Sequence, residues 1–132
     1  MKQTIDVRDG RATATARALF KAFFERRRED AELLINDDFT FTSPYDDAID
    51  RARYFSRCWP NGDRFLDFLI ERTAEDADGV FVTYACNLKD GNSFRNTEYL
   101  KVRYGQVVSV DVYFGATYRD GKFVSQQEDS TS

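Results

Sequence analysis

The stretch TEYLKVRYGQVVSVDVYFG, residues 97–115, contains two β-strand patterns separated by a tight turn. Apolar and polar residues alternate on both sides of Gly105-Gln106, and a period of two is typical of strands. Strands joined by so short a turn run antiparallel, so the stretch predicts a β-hairpin. Residues 64–73 and 79–88 also have strand patterns and are followed by short turns. We therefore expect a four-stranded antiparallel meander over residues 64–114.

Helical periodicity dominates the part of the chain before the meander. Apolar residues recur at helical spacing from residue 11 to 28, and again in a shorter piece over residues 29–35. Residues 39–42 then alternate as a strand that ends at Pro44, and residues 49–59 return to helical spacing. This order of elements predicts an α+β domain with helices on one face of a twisted sheet. A twisted sheet with helices on one face encloses a cone, and the inside of such a cone is a natural pocket.

One domain is expected to account for the whole chain, residues 1–132. Twelve Phe, seven Tyr and one Trp supply bulky apolar side chains, and 132 residues are enough to bury a core. We place this core at about residues 11–116. Residues 117–132 are polar and end in QQEDSTS, so we predict a loosely held extension there.

The composition excludes several functional classes. A formal net charge of −4 argues against a nucleic-acid-binding protein, because no overall positive field attracts phosphates. The chain has no histidine, which excludes Ser-His-Asp and Cys-His catalysis and HExxH zinc sites. Two cysteines cannot form a zinc site alone, and no glycine-rich phosphate loop is present. We therefore predict neither a metal nor an organic cofactor.

Targeting signals are also missing from the sequence. The first ten residues, MKQTIDVRDG, lack the apolar core of a signal peptide, and no apolar run approaches the length of a membrane span. With two free thiols, the sequence predicts a soluble cytoplasmic protein that does not bind membranes.

Three segments together resemble the nuclear transport factor 2-like superfamily, which includes ketosteroid isomerase and the SnoaL-like polyketide cyclases. They are ARALFKAFFERRREDAELLINDDFTFTSP, DRARYFSRCWPNG and TEYLKVRYGQVVSVDVYFG, and the resemblance covers about residues 11–116. It implies a conical, cystatin-like α+β fold in which a strongly curved, mainly antiparallel sheet wraps around N-terminal helices. It also implies a deep pocket and a homodimer through the outer sheet face. It implies no single reaction, because the superfamily includes enzymes, binding proteins and scaffolds.

The resemblance transfers the isomerase chemistry only in part. The isomerase base is an aspartate directly before a proline at the end of the first strand, and Ser43 stands there in this chain. A base would therefore have to be displaced to Asp46 or Asp47. Leu19 occupies the position of the tyrosine that binds the substrate oxyanion, whereas Glu98 matches the acid of the penultimate strand. One match in three does not support steroid isomerisation by the same residues.

Four carboxylates are candidate catalytic groups. Asp46 and Asp47 either cap the following helix in a solvated turn or supply one general base at the pocket mouth. Glu98 lies on an apolar strand face, where it either stays protonated and donates to a substrate oxygen or pairs with an arginine. Asp111 either enters the pocket or meets a partner subunit. If its two valine neighbours line the pocket, Asp111 points away from it.

Aromatic and polar residues near the predicted pocket are candidate ligand contacts, with plain core packing as the alternative for each aromatic ring. These candidates are Phe41, Ser43, Tyr45, Tyr54 and Trp59. The expected ligand is a small apolar or amphipathic molecule. We therefore expect a cofactor-independent acid–base enzyme of the isomerase, cyclase or hydratase type that acts on a small, largely apolar carbonyl compound. The alternative is a non-catalytic module that binds a small ligand or a protein partner with the same fold.

Overall fold

A computed structural model of the chain describes residues 10–126. Two helices, α1 (Arg11–Phe24) and α2 (Arg28–Leu34), precede the strands. The strands are β1 (Ile35–Ser43), β2 (Asp46–Asp50), β3 (Phe65–Glu75), β4 (Gly79–Leu88), β5 (Asn92–Arg103), β6 (Gln106–Tyr113), β7 (Ala116–Arg119) and β8 (Lys122–Gln126). Three short helical turns connect β2 to β3: α3 (Arg51–Arg53), a π-helical turn (Tyr54–Cys58) and a 3-10 turn (Trp59–Arg64).

The sheet follows the order β2-β1-β6-β5-β4-β3 and is mainly antiparallel. β3 to β6 form the predicted meander, and β1 joins it through a parallel pairing with β6. Register shifts interrupt β3 twice and the β5–β6 ladder once. Such bulges bend strands and increase their twist, so they curve the sheet. The α+β cone predicted from the sequence is confirmed.

Helix α1 packs against the concave face of this sheet. Its apolar stripe buries Ala16, Leu19 and Phe20, as the helical spacing predicts. The ring of Phe20 meets Tyr84 of β4 edge-on, with centroids 5.0 Å apart. Each such aromatic contact contributes beyond its area burial, so α1 is bound to the sheet mainly by ring packing.

The N-terminus of α1 is capped from a distant strand. Its N-cap residue is Gly10, which has no side chain to accept a hydrogen bond, so the first backbone N–H groups need another partner. Glu75, at the end of β3, supplies it: Oε2 accepts from the Thr13 backbone N at 2.9 Å and from Thr13 Oγ1 at 2.5 Å. These bonds lower the pKa of Glu75, the side-chain bond to Thr13 most.

The segment after Pro44 differs from its predicted helix. Residues 46–50 form β2, which pairs antiparallel with β1 and sets Ile49 opposite Phe41. The helical turns begin only at residue 51, and Asp50 Oδ1 accepts from the Arg53 backbone N at 2.9 Å. The capping role predicted for Asp46 or Asp47 is therefore wrong, because a strand partner captures these residues and Asp50 caps the helix instead.

The predicted loose extension is wrong over residues 117–126. Those residues belong to β7 and β8, and Phe94 of β5 pairs with Thr117 of β7. β5 is longer than its pairing with β6, so its first residues offer free backbone groups that β7 completes. Polar composition does not reveal this pairing, because backbone atoms make it. Residues 127–132 of the predicted extension lie outside the described residues.

The outer face of the sheet carries mixed polar and apolar side chains. Leu69, Phe81 and Tyr113 are exposed there, and Phe81 packs against Tyr99 with ring centroids 4.6 Å apart. The homodimer through this face stays a prediction. No helix among residues 10–126 is long and apolar enough to cross a bilayer.

The Glu75 cap gives a pH-dependent stability prediction. Glu75→Ala should lower the free energy of unfolding at pH 7 by about 1 kcal/mol, because it removes the oxygen that caps the helix. Because the folded pKa of Glu75 is lowered, its contribution is present above the unfolded pKa and is lost as pH falls through the folded value. Urea denaturation of both proteins from pH 7 downward should show the difference shrinking. Glu71→Ala, the same change elsewhere on β3, breaks an exposed ion pair with Arg95 of β5 and should cost less. Equal losses in the two variants would contradict the capping role.

Candidate functional site

A cavity of about 140 Å³ lies between α1 and the concave face of the sheet. Most of its wall is apolar. The apolar lining residues are Leu19, Phe20, Phe23, Phe24, Phe39, Phe41, Phe65, Leu88, Phe94, Leu100, Val110, Val112 and Phe114. An apolar cavity of about 150 Å³ accommodates a molecule the size of benzene. The cavity therefore suits a compact molecule of about one ring.

Three polar side chains from β4 and β5 form a hydrogen-bonded chain in this wall. The antiparallel register sets Tyr84 opposite Asn96 and Val82 opposite Glu98 on the inner face. Tyr84 Oη donates to Glu98 Oε2 at 2.8 Å, and Asn96 Nδ2 donates to Tyr84 Oη at 3.5 Å. The backbone N of Gly115 donates to Asn96 Oδ1 at 3.0 Å. Tyr84, Asn96 and Glu98 all line the cavity, so the chain ends on a carboxylate that a ligand can reach.

Glu98 has the electrostatic properties of an acid–base group. Burial raises its pKa to about 7, and the hydrogen bond from Tyr84 works in the opposite direction. Within residues 10–126 no arginine forms an ion pair with Glu98, so the arginine-paired alternative is wrong. At neutral pH both protonation states of the carboxyl are populated, which favours proton transfer in either direction.

Tyr54 supplies a further polar group to the cavity wall. It is 7% exposed, and its ring packs against Phe39 and Phe41 with centroids 5.2 Å apart in each case. Burial, and then the charge of Glu98, raise its pKa, so the hydroxyl stays protonated at neutral pH. Among the described residues this hydroxyl has no hydrogen-bond partner. A buried donor without a partner is costly, and a ligand oxygen in the cavity would satisfy it.

Two buried cysteines are not nucleophiles. Cys58 lines the cavity, and burial raises the pKa of its thiol to about 12. Burial likewise raises the pKa of Cys86 to about 12. Since the thiolate is the reactive form, both side chains act as small apolar groups at neutral pH. Within residues 10–126 no cluster of three potential metal ligands occurs.

The structure places Asp46 and Asp47 outside the cavity wall, so the prediction of a general base there is wrong. The Asp46 side chain is 2% exposed, but it faces the π-helical turn, where Arg57 Nε donates to Oδ1. Ser43 Oγ donates to Oδ2 at 3.1 Å, and the Cys58 thiol lies 4.0 Å from the same oxygen. Asp47 is exposed at the sheet edge. The β1–β2 turn thus directs one carboxylate into an ion pair and its neighbour into solvent.

Asp111 also lies outside the cavity wall, so its predicted place in the pocket is wrong, whereas its contact with a partner subunit stays a prediction. Val110 and Val112 line the cavity, so the alternation of β6 turns Asp111 to the outer face. There it is paired with Tyr99 of β5 in the register of the sheet. The alternation of side chains along β6 predicts this outward position of Asp111 once Val110 and Val112 line the cavity.

The five candidate ligand contacts divide into two groups. Phe41 and Tyr54 line the cavity, as predicted. Ser43, Tyr45 and Trp59 do not, so their assignment to the pocket wall is wrong. Ser43 donates a hydrogen bond to Asp46. The ring centroids of Tyr45 and Phe114 are 5.6 Å apart, and those of Trp59 and Phe23, which meet edge-on, are 5.4 Å apart. Tyr45 and Trp59 therefore pack against residues of the cavity wall.

Sequence reasoning missed Tyr84 and Asn96 as site residues. The signal was present in the alternation of β4, where Val80 and Val82 precede Tyr84 at intervals of two. Asn96 stands two residues before Glu98 and therefore shares its face. The short turn between β4 and β5 fixes the register that brings the pair together. Aligning the two strands across that turn would have found both residues.

Comparisons with known proteins identify the fold. No protein-family model and no curated protein matches the chain. A nuclear transport factor 2-like protein of unknown function from Cytophaga hutchinsonii is 21% identical with a TM-score of 0.64, over 86% of this chain and 94% of its own. A Kribbella flavida protein provisionally assigned as a ketosteroid isomerase is 21% identical with a TM-score of 0.67, over 83% and 81%. A de novo designed protein with a curved β-sheet is 10% identical with a TM-score of 0.69, over 79% and 84%.

The chain therefore has the nuclear transport factor 2-like fold, and the resemblance found in its sequence is confirmed at that level. The designed protein has the same architecture at 10% identity. Likeness of this kind assigns no reaction, which has to be argued from the site itself.

The two neighbouring aspartates should respond differently to substitution. Asp46→Asn should lower the free energy of unfolding by about 2 kcal/mol, because it removes the negative partner of Arg57 from a buried position. Asp47→Asn, a matched change one residue away on the exposed side, should stay within about 0.5 kcal/mol of the wild type. Urea denaturation measures both. Similar losses in the two variants would argue against the structural role of Asp46.

Glu98 should make the protein less stable as pH rises. Its folded pKa of about 7 exceeds the unfolded value, so the folded state binds the extra proton between about pH 4.5 and about pH 7. The corresponding stability is present below the unfolded pKa and is lost as pH rises through the folded one. Glu98→Gln cannot ionise and should gain on the order of 2 kcal/mol over the wild type at pH 8, but not at pH 4.5. Glu71→Gln should show no such gain, because Arg95 lowers the pKa of Glu71. A pH-independent difference between Glu98→Gln and wild type would refute this linkage.

Proposed function

We propose that this protein is a cofactor-independent acid–base enzyme that acts on a compact, largely apolar carbonyl compound. The position and the pKa of Glu98 carry the proposal. Among residues 10–126 it is the only carboxylate in the cavity wall, and burial brings its pKa to about 7. A general acid–base group is most effective when its pKa lies near the working pH.

Proton abstraction next to a carbonyl fits the groups present. Ionised Glu98 takes a proton from the carbon beside the carbonyl, and the electron pair moves to the carbonyl oxygen. The Tyr54 hydroxyl, which has no partner among the described residues, donates to that oxygen as negative charge develops. If the substrate has a carbon–carbon double bond between its β and γ carbons, protonated Glu98 then returns the proton to the γ-carbon as the electron pair moves back from the oxygen and the double bond shifts. Because one carboxylate that takes and returns the same proton is enough for this step, isomerisation suits the site better than cyclisation or hydration.

The cavity limits the size of the reacting part of the molecule. A volume of about 140 Å³ holds about one ring, whereas a fused four-ring steroid is several times larger. The reacting group therefore belongs to a monocyclic or short-chain compound.

A non-catalytic binding protein is the alternative. An apolar wall and the buried hydroxyl of Tyr54 are enough to hold a ligand that has one acceptor oxygen. Binding alone requires no proton transfer by Glu98, which gives a way to separate the two functions.

Solvent-deuterium exchange tests the proposal directly. Monocyclic ketones that raise the melting temperature are selected first, since a ligand that binds the folded state stabilises it. In D2O, the wild type should catalyse deuterium incorporation beside the carbonyl, at a rate that rises with pH and levels off above about pH 7. Glu98→Gln should bind the ketone but exchange about 100-fold to 10,000-fold more slowly.

Asp47→Asn is the matched control and should exchange as fast as the wild type, because Asp47 is exposed and outside the cavity wall. Ketones that bind the wild type without any exchange would establish the binding protein instead. Equal exchange by the wild type and Glu98→Gln would reject Glu98 as the catalytic group.

A further inference from the structure

The hydrogen-bonded chain behind Glu98 has a fixed direction that begins at the backbone. Asn96 is 4% exposed, so its side-chain amide depends on protein partners. The backbone N of Gly115 can only donate, and it lies 3.0 Å from the Asn96 side-chain oxygen. That contact identifies this atom as the oxygen and places the amide nitrogen on the side of Tyr84.

Close packing fixes the backbone at Gly115, where this hydrogen-bonded chain begins. A Cβ atom at Gly115 would lie 1.8 Å from the carbonyl oxygen of Arg95, so only glycine fits there. Gly115 directly follows the last inward-facing residue after β6, and the chain then enters β7. The backbone that orients Asn96 is thus clamped between the pairing of β6 and the pairing of β7 with the same strand, β5.

The amide then determines what the Tyr84 hydroxyl does. The Asn96 nitrogen presents only N–H groups to Tyr84, so the tyrosine oxygen accepts on that side and its O–H is directed to Glu98. Glu98 Oε2 therefore acts as an acceptor in both protonation states. The proton of the neutral carboxyl must then sit on Oε1, for which residues 10–126 provide no hydrogen-bond partner.

We propose that Asn96 is a positioning residue that, through Tyr84, keeps the transferable proton of Glu98 on Oε1, the oxygen left for the ligand. This inference rests on the proposed function, in which Glu98 exchanges that proton with its substrate. Without the amide, the Tyr84 hydroxyl can rotate and accept a proton from Glu98 Oε2. The carboxyl would then direct its proton toward the protein, and the neutral carboxyl would gain a hydrogen bond.

Other titratable groups face Glu98 from the elements around the cavity. Tyr54 and Cys58 approach from the π-helical turn, Arg64 from the 3-10 turn, and Tyr84 from β4. Burial raises the pKa values of Tyr54, Cys58 and Tyr84, so these three stay neutral while Glu98 titrates. Their state does not change over that pH range. The pH at the midpoint of the Glu98 titration therefore reports on the hydrogen bonds of Glu98 itself.

Carbon-13 NMR of labelled glutamate carboxyls in the ligand-free protein tests the proposal. The signal missing from Glu98→Gln assigns Glu98. Tyr84→Phe removes a hydrogen bond to the carboxylate and should raise the midpoint by about one pH unit. Asn96→Leu should raise it by a smaller amount, on the order of half a unit, because the neutral carboxyl gains the rotated hydroxyl.

The double variant distinguishes two effects of Asn96→Leu on Glu98. One acts through the Tyr84 hydroxyl and is called the relay here, and the other is the exclusion of water by the leucine side chain. In the Tyr84→Phe background, Asn96→Leu should shift the midpoint by less than half as much as it does alone, because the hydroxyl it acts through is gone. An equal shift in both backgrounds would overturn the proposal, since leucine would then act by excluding water. If Asn96→Leu does not fold, Asn96→Val is tested in the same way, because valine suits a strand and has no group that could donate to Tyr84.

Asn87→Leu, the same substitution on the exposed face of β4, should leave the midpoint unchanged. These titrations need no substrate, so they stand apart from the exchange experiment. A relay present without deuterium exchange would reject the enzyme and keep the role of Asn96. Exchange that depends on Glu98, together with equal shifts in both backgrounds, would keep the enzyme and reject the relay.

Discussion

The placement of one carboxylate on a mostly apolar sheet face governs the arrangement of the site. An ionised group there loses the hydration that water gave it, and no arginine within residues 10–126 compensates for that loss. The described part of the chain provides a single hydrogen bond to Glu98, from Tyr84, and the pKa of Glu98 stays at about 7. Two further polar groups of the wall are tied to this carboxyl, because Asn96 donates to Tyr84 and the charge of Glu98 helps to raise the pKa of Tyr54.

The cavity itself results from the curvature of the sheet. Bulges in β3 and between β5 and β6 bend the strands around α1, and the helix fills only part of the concave face. Large aromatic rings close most of the remaining space. What is left is small and largely apolar, so a molecule inside it meets Glu98 in a low-dielectric environment where a charge or a proton donor interacts strongly.

Much of this architecture could be predicted from alternation and turn length. The meander of β3 to β6 followed from short turns between alternating segments. The same parity placed Glu98 on the apolar face and implied that Asp111 could not share a face with Val110 and Val112. These predictions rest on local rules, namely the period of a strand and the reach of a hairpin turn, and those rules hold wherever strands pair in sequence order.

The failures occur where a distant partner decides the local structure. Residues 49–59 have helical spacing, yet β1 captures Ile49 as a strand partner. Residues 117–126 have a polar composition, yet β5 offers them backbone hydrogen bonds. Tyr84 and Asn96 required the register of two strands to be known before they could be recognised as neighbours of Glu98. In each case the information lies in a pairing that the segment alone does not contain.

Asp46 and Glu98 show how the partner determines the use of an acid. Asp46 is tied to Arg57 and to the hydroxyl of Ser43, so its charge is compensated and its oxygens are occupied. Glu98 has one neutral partner and an oxygen that no described residue binds. The ion pair of Asp46 stabilises the wall, whereas Glu98 costs stability above its pKa. That cost is what keeps a proton available inside the cavity, so the residue that weakens the fold is the one suited to chemistry.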